Sequence, residues 1–172
     1  VYVGGWSGPC PRGWRIDEDS SAHQMVWEGG APERDDALDA TRLGAANVPG
    51  MLALVAATKP GPFGPRTVDL GDYWGVFDGG RLVAMAGERM EAGALREVSG
   101  VCTDPLWQGR GLARRLMLKL VREQLRRGQL PFLHVMRENA HAAGLYERMG
   151  FRRRGELAVR VVSRIGPGGA RG

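Results

Sequence analysis

A glycine-rich turn at residues 108–113 is the segment of this sequence whose residue types point most directly to chemistry. It follows a strand-like run and opens an amphipathic helix. Gly109 and Gly111 would let backbone N–H groups come close to a ligand, and the first turn of a helix carries unpaired N–H groups and the positive end of the helix dipole. Arg110 and Arg114 add positive charge. The turn therefore predicts a site for a phosphate-bearing cofactor.

Two familiar phosphate-binding motifs do not match this turn. A dinucleotide-binding fingerprint requires a third glycine at position 114, where the chain has Arg114, and a nucleotide P-loop requires a Gly-Lys-Ser/Thr sequence that the chain lacks. Helices also begin with glycine for purely geometric reasons. The turn by itself therefore leaves a structural role open.

The elements that position the turn are predicted from apolar periodicity and turn signals. Strands are expected at 41–43, 73–77, 81–90, 94–103, 131–136 and 151–163, with helices at 47–57, at 109–127 and from the Asn139 cap to Gly150. Before them, the runs 13–16 and 23–27 flank a polar stretch and are predicted to form a hairpin. The chain thus changes from consecutive strands to strands separated by helices.

The composition limits the classes of protein to consider. The chain has 172 residues, 43% of them hydrophobic, which suits one domain with a single core. Cys10 and Cys102 are too few for a disulfide framework, and no histidine pair has the spacing of a metal site, so no metal is expected. No apolar run could span a bilayer and no leader opens the chain, which predicts a soluble, cytoplasmic protein with no membrane partner.

The charge distribution is uneven. The net charge of +5 comes from arginines that are dense after Gln108, whereas residues 68–91 are acidic. This asymmetry suits an anionic cofactor on one side and a cationic substrate on the other. The alternative is that arginine richness reflects coding bias and solvated faces.

Two segments resemble a known family. Gln108-Gly-Arg-Gly-Leu-Ala resembles the coenzyme A signature, Gln/Arg-x-x-Gly-x-Gly/Ala, of the GNAT superfamily of N-acetyltransferases. The family's second signature is similar to Asn139-x-x-Ala142-x-x-Leu145-Tyr146-Glu147-x-Met149-Gly150-Phe151. Both lie in the family's order, separated by the expected helix and strand. The resemblance covers about residues 38–163.

The resemblance implies an α/β (α+β) fold built on a mixed, strongly twisted sheet flanked by helices. The family's fourth and fifth strands, here 94–103 and 131–136, run parallel and splay apart to hold acetyl-CoA. The chain is divided into an N-terminal extension at 1–36, which packs on the core or on the substrate side, an acetyltransferase domain at 37–165 and a tail at 166–172 whose composition predicts disorder.

The resemblance also assigns the cofactor site. It places the pyrophosphate on the amides of Gly109 through Ala113, and the pantetheine arm along the backbone at Val101 and Thr103 and beside Asn139. An amide near Cys102 would hold the oxyanion. The implied cofactor-binding residues are Val101, Cys102, Thr103, Gln108, Gly109, Arg110, Gly111, Leu112, Ala113, Arg114, Asn139, Ala142 and Tyr146.

Transfer of an acetyl group from a thioester to an amine requires a base and an acid. Tyr146 matches the family's acid, and packing in the core is its structural alternative. Glu97 is the candidate base, because it interrupts an apolar strand eleven residues before Gln108, as in the family's histone-modifying members. Strict alternation puts Glu97 on the face of Leu95, Ser99 and Val101. A salt bridge to an arginine, with water as the base, is equally open.

A covalent route through Cys102 is the less favoured alternative. Cys102 and His134 lie on strands expected to be neighbours, and a Cys–His pair could accept an acetyl group. The sequence shows no carboxylate that would orient this pair. A buried structural thiol is therefore expected.

The predicted function is acetyl transfer from acetyl-CoA to a primary amine by direct attack in a ternary complex. The alternative is a non-catalytic acyl-CoA-binding or nucleic-acid-binding module of the same fold. Nucleic acid is disfavoured because the arginine-rich helix lacks interleaved aromatic residues. The sequence leaves open the acceptor amine and the oligomeric state, a homodimer included.

Overall fold

The computed structural model describes residues 1–166, so almost all of the predicted disordered tail lies outside the described residues. The strands are β1 (Tyr2–Gly4), β2 (Trp14–Trp27), β3 (Thr41–Leu43), β4 (Tyr73–Asp78), β5 (Arg81–Ala92), β6 (Leu95–Thr103), β7 (Leu130–Met136) and β8 (Phe151–Arg164). The helices are α1 (Val48–Thr58), α2 (Leu112–Arg126) and α3 (Ala140–Met149). Within residues 1–166, no helix has both the length and the apolar character needed to cross a bilayer.

All eight strands form one sheet in the order β1-β8-β2-β7-β6-β5-β4-β3. Among the described strands, β6 and β7 are the parallel neighbours, and the other adjacent pairs are antiparallel. The β6–β7 pairing runs from Leu95↔Leu130 to Glu97↔Phe132 and stops there. The predicted mixed sheet with two splayed parallel strands is confirmed.

Helices cover the two faces of the sheet unequally. On one face, α2 and α3 bury Leu116, Leu120 and Met149 against residues such as Leu133 and Phe151. On the other face, α1 covers a smaller cluster that contains Tyr73, Met85 and Cys102. Burial of these apolar side chains is the main favourable contribution to folding.

A bulge in β6 changes which side chains share a face. Gly100 has φ +62, and the register with β5 shifts between Met85↔Cys102 and Gly87↔Ser99. Val101 consequently packs in the cluster under α2, whereas Cys102 packs in the cluster under α1. The prediction that Val101 shares a face with Glu97 is wrong, because strict alternation does not hold across a bulge.

The N-terminal segment is not a hairpin, so that prediction is wrong. Trp14–Trp27 form one continuous strand, β2, which lies in the sheet between β7 and β8. A register shift between Ile16 and Glu18 absorbs the polar stretch, and Asp19 accepts two hydrogen bonds from Arg160 of β8. Backbone pairing with a neighbouring strand therefore outweighs the local preference for a turn.

The acidic stretch at 68–91 is largely neutralised within the protein. Asp72 is paired with Arg42 and Arg127. Glu88, which is 2% exposed, is paired with Arg96 and Arg127 and accepts a hydrogen bond of 2.9 Å from Gln124 of α2. Asp72 and Glu88 therefore anchor α2 to the sheet and do not offer a surface to a cationic substrate.

Candidate active site

A gap opens in the sheet where β6 and β7 separate. Beyond Glu97 on β6 and Phe132 on β7, the backbone groups that face each other across the gap belong to residues 98–103 and 133–136. The outer edges of the two strands remain paired with β5 and β2. An extended ligand could therefore add to these inner edges as another strand would.

The glycine-rich turn stands at the end of β6, where the gap is open. Gly109 and Gly111 have φ +75 and φ +74, left-handed conformations that disfavour any residue with a Cβ. They delay the start of α2 to Leu112, three residues later than predicted. The first helical bond runs from Arg115 N to Gly111 O, so the N–H groups of residues 112–114 have no carbonyl in the helix to bond.

Side chains of the segment 103–110 hold this turn in place. Gln108 Nε2 donates a hydrogen bond of 3.3 Å to the carbonyl of Thr103. The guanidinium of Arg110 lies 4.2 Å from the ring centroid of Trp107. Thr103 Oγ1 is buried without a hydrogen-bond partner among residues 1–166. A buried polar atom of this kind at the mouth of the gap suits a ligand with polar groups of its own.

Other predicted cofactor residues flank the gap or the start of α2. Asn139 caps α3, because its Oδ1 accepts a hydrogen bond of 3.1 Å from Ala142 N, which leaves its NH₂ group for another acceptor. Arg114 lines a groove with Trp27, Leu118 and Met149. The side chain of Leu112 is buried in the core, so this residue can offer a ligand only its backbone.

Tyr146 is half-buried on α3, packed edge-on against Phe151 with ring centroids 6.2 Å apart. Burial raises the pKa of its hydroxyl to about 12. A hydroxyl with this pKa keeps its proton at neutral pH and is therefore a hydrogen-bond donor there.

Glu97 lies in a row of polar side chains that crosses four strands. This polar row consists of Arg89 on β5, Glu97 on β6, His134 on β7 and Gln24 on β2. Glu97 is 1% exposed and accepts two hydrogen bonds from Arg89, of 2.9 and 2.8 Å, and one of 2.9 Å from His134 Nδ1. Burial alone would raise the pKa of Glu97, but the bonds from His134 and Arg89 outweigh it and hold the pKa below its usual value.

The polar row contains the salt bridge that the sequence left open for Glu97, whereas its role as the base stays a prediction. The carboxylate is in a salt bridge, and it also lies where the parallel strands separate. Sequence reasoning missed the contact with His134, because it depends on the register that sets Phe132 opposite Glu97, and His134 follows Phe132 by two residues on the same side of β7.

Cys102 has the properties of a structural thiol. It is 6% exposed, and burial raises its pKa to about 11, despite a hydrogen bond with Thr58. A neutral thiol is a poor nucleophile. In addition, the imidazole of His134 is hydrogen-bonded to Glu97, whereas Cys102 packs in the cluster under α1.

A mixed sheet that splits between two parallel strands, with a glycine turn and a helix N-terminus at the mouth of the split, matches the fold that the resemblance to the GNAT superfamily implied. Comparisons with known proteins agree. The model of the FR47-like protein family matches residues 73–161, which is about half of the chain.

Two further similarities are informative. A structure from Novosphingobium aromaticivorans, described as an acetyltransferase from the GNAT family, superposes with a TM-score of 0.90 at 41% sequence identity, covering 96% of this chain and 74% of that one. The N-alpha-acetyltransferase RimI of Mycobacterium tuberculosis is 37% identical over 86 residues, which are 48% of this chain and 53% of RimI. The chain thus spans about half the length of this curated relative.

A third similarity concerns the fold alone. The ribosomal-protein-S18-alanine N-acetyltransferase of Escherichia coli superposes with a TM-score of 0.60 at 21% identity, covering 76% of this chain and 96% of that one. From the family model and the 41% identical structure, we conclude that the chain belongs to the GNAT family of acetyltransferases.

Proposed function

We propose that this protein transfers an acetyl group from acetyl-CoA to a primary amine by direct attack. The observation that carries the proposal is the gap between β6 and β7, with the turn of Gly109 and Gly111 at its open end. Together they offer unpaired strand edges to an amide-containing arm and helix N–H groups to a pyrophosphate.

Each part of the site has a role in this proposal. The amides of Gly109 through Ala113 bind the pyrophosphate, and the side chains of Arg110 and Arg114 add charge. The backbone of β6 near Val101 and Thr103 binds the pantetheine arm together with the NH₂ group of Asn139, and the amide near Cys102 stabilises the oxyanion. Acetyl-CoA supplies an activated acyl thioester.

The leaving thiolate needs a proton, and Tyr146 is the group proposed to donate it. Its hydroxyl stays protonated over the whole physiological range, because burial raises its pKa to about 12. Glu97 contributes to deprotonation of the amine through the polar row described above.

The similarity to RimI suggests an acceptor class. That relative is named as an N-alpha-acetyltransferase, a name that denotes transfer to an α-amine. We therefore propose the α-amine of a peptide as the acceptor, with a lysine side chain and small-molecule amines as the competing classes. The cytoplasmic location and the oligomeric state stay predictions.

Two measurements test the proposal. Acetyl-CoA at saturating concentration should raise the melting temperature, because a ligand that binds the folded state stabilises it, whereas ATP at equal concentration should not. Thiol release from acetyl-CoA should then depend on an added amine, chosen from a panel of peptides that begin with alanine, N-blocked lysine peptides and small amines. Stabilisation without thiol release from any of them would favour a non-catalytic acyl-CoA-binding module, and the absence of both would refute the proposal.

A further inference from the structure

Glu97 is badly placed to accept a proton from an incoming substrate. Its carboxylate is 1% exposed, and both of its oxygens accept hydrogen bonds from the Arg89 guanidinium. A carboxylate held by a permanent cation is a weak base. The group that removes the proton should therefore be one that Glu97 touches and that is accessible from the gap.

His134 contacts Glu97, lies on a strand that borders the gap and is partly exposed. It lies on β7 two residues beyond Phe132, where the pairing with β6 ends, and its side chain is 17% exposed. Its Nδ1 lies 2.9 Å from Glu97 Oε1. An ionised carboxylate can only accept a hydrogen bond, so Nδ1 must carry the hydrogen, and Nε2 of the neutral imidazole is left with its lone pair.

The surroundings of Nε2 agree with this assignment. The amide nitrogen of Gln24 on β2 lies 3.4 Å away, at the long end of the hydrogen-bond range, and can act as a donor to the lone pair. Among the described residues, the charged group that contacts His134 is Glu97 on β6, which in turn is bonded to Arg89 on β5. An ammonium group entering from the gap could replace this weak contact with a charge-assisted one.

We infer that His134 is the general base of the acetyl transfer and that Glu97 is a positioning residue that fixes the tautomer of His134. This inference rests on the proposed function. The acceptor ammonium gives one proton to His134 Nε2, and the nitrogen lone pair forms a C–N bond at the thioester carbonyl. The C–S bond breaks with its electron pair going to sulfur, which takes the proton of Tyr146. The second proton of the nitrogen passes to solvent, as does the proton on His134, and water restores the tyrosine.

The main test compares His134→Gln with the wild-type chain, using acetyl-CoA and a peptide that begins with alanine, or whichever acceptor in the panel is acetylated fastest. We expect kcat/KM to fall by about 10²- to 10⁴-fold, the usual range for loss of a general base. In this variant, the acidic limb of the plot of kcat/KM against pH should disappear, and the Kd of acetyl-CoA should not change. Retained activity within threefold, or a persisting acidic limb, would overturn the inference.

A matched control is available on the neighbouring strand. His23 of β2 also lies beside a carboxylate, with Nδ1 3.9 Å from Glu156 Oε2, but it is outside the polar row. His23→Gln should leave the pH profile unchanged. In a second variant, His134→Ala, added imidazole should restore part of the activity, whereas a variant that had merely lost its structure would not respond.

The positioning role of Glu97 has its own readouts. Glu97→Gln should lower kcat/KM without changing the Kd of acetyl-CoA, because an amide can donate as well as accept a hydrogen bond and no longer fixes the tautomer of His134. In the wild-type chain, long-range ¹H–¹⁵N NMR should show neutral His134 as the Nδ1–H tautomer, with the signal assigned by its loss in His134→Gln. An Nε2–H tautomer would refute the inference whatever the activity. If the wild-type chain binds acetyl-CoA but acetylates no acceptor, the proposed function fails, and the inference about catalysis fails with it.

Discussion

At the residue scale, Glu97 is a buried carboxylate that its neighbours stabilise and that in turn orients an imidazole. Arg89 and His134 provide the hydrogen bonds that offset the cost of removing this charge from water. The net result is a pKa below its usual value, which is the opposite of what burial alone would produce. The same contacts that stabilise Glu97 also orient the imidazole at the gap.

The lowered pKa of Glu97 predicts a pH-dependent contribution to stability. The folded state binds this proton less tightly than the unfolded state, whose carboxyl has the usual pKa of 4.5. Its contribution is therefore complete above that pH and is lost as the pH falls through the lower, folded-state value. Urea denaturation from pH 7 to pH 3 should show a steeper loss of unfolding free energy for the wild-type chain than for Glu97→Gln.

Glu91→Gln is the control for this measurement, since Glu91 is paired with Arg96 but its side chain is 58% exposed. It should follow the wild-type curve, because exposed ion pairs contribute little. Parallel curves for the wild-type chain and Glu97→Gln would contradict the assignment.

Tyr146 gives a second prediction at this scale. Tyr146→Phe removes the hydroxyl but keeps the ring contact with Phe151. We expect kcat to fall by about 10²-fold or more with little change in the Kd of acetyl-CoA, because the proton is needed only in the transition state. Tyr2→Phe, at an exposed position of β1, is the control. An unchanged kcat for Tyr146→Phe would remove Tyr146 from the mechanism.

At the scale of the element, helix α2 is specialised at both ends. Its N-terminus presents unpaired N–H groups directly after Gly111. At the other end, Gln124 donates a hydrogen bond to Glu88, and the C-cap residue Arg127 forms a salt bridge with it. Its buried positions lie on one face, so the helix is fixed against the sheet, and its first turn is held rigidly at the gap.

The glycines at the two ends of α2 offer a matched pair of variants. Gly111 has φ +74 and Gly128 has φ +72, and a Cβ at either position would meet no atom within 4 Å. Alanine at each should therefore destabilise the fold by a similar amount, about 1–2 kcal/mol, through backbone strain alone. Gly111→Ala should also weaken acetyl-CoA binding by at least tenfold in a calorimetric titration, whereas Gly128→Ala should not. Equal affinities would place the pyrophosphate elsewhere.

At the scale of the whole molecule, the sheet depends on its N-terminal segment. Strand β2 pairs with β8 along its whole length, and its second half also pairs with β7. It contributes Met25 and Trp27 to the core under α2 and α3, and Gln24 to the polar row. The segment that the sequence marks as an extension is thus an interior strand of the sheet.

This position of β2 predicts the effect of truncating its side chains. Met25 is 0% exposed, so Met25→Ala should lower the free energy of unfolding by about 2–5 kcal/mol through lost burial and the cavity left behind. Tyr2→Ala on β1, where Tyr2 is 57% exposed, should change it by less than about 0.5 kcal/mol. Urea denaturation measures both, and similar small losses would show that β2 does not belong to the core.

The sequence by itself determined the elements whose signals are local. Apolar periodicity and capping residues predicted α2, α3 and the strands from β3 onward, and the spacing of glycines around Arg110 predicted the turn. The two signatures implied the family and, with it, the splayed sheet. The elements and the turn could be predicted because each depends on neighbouring residues in the chain, whereas the splayed sheet was implied by the resemblance.

Only the tertiary structure decided which distant residues meet. The order of the sheet inserts β2 between β7 and β8, and the bulge at Gly100 reverses the facing of Val101 and Cys102. Glu97 and His134 are 37 residues apart in sequence, and their contact depends on the register between β6 and β7. Such pairings depend on backbone hydrogen bonds and packing between segments that are far apart in the chain.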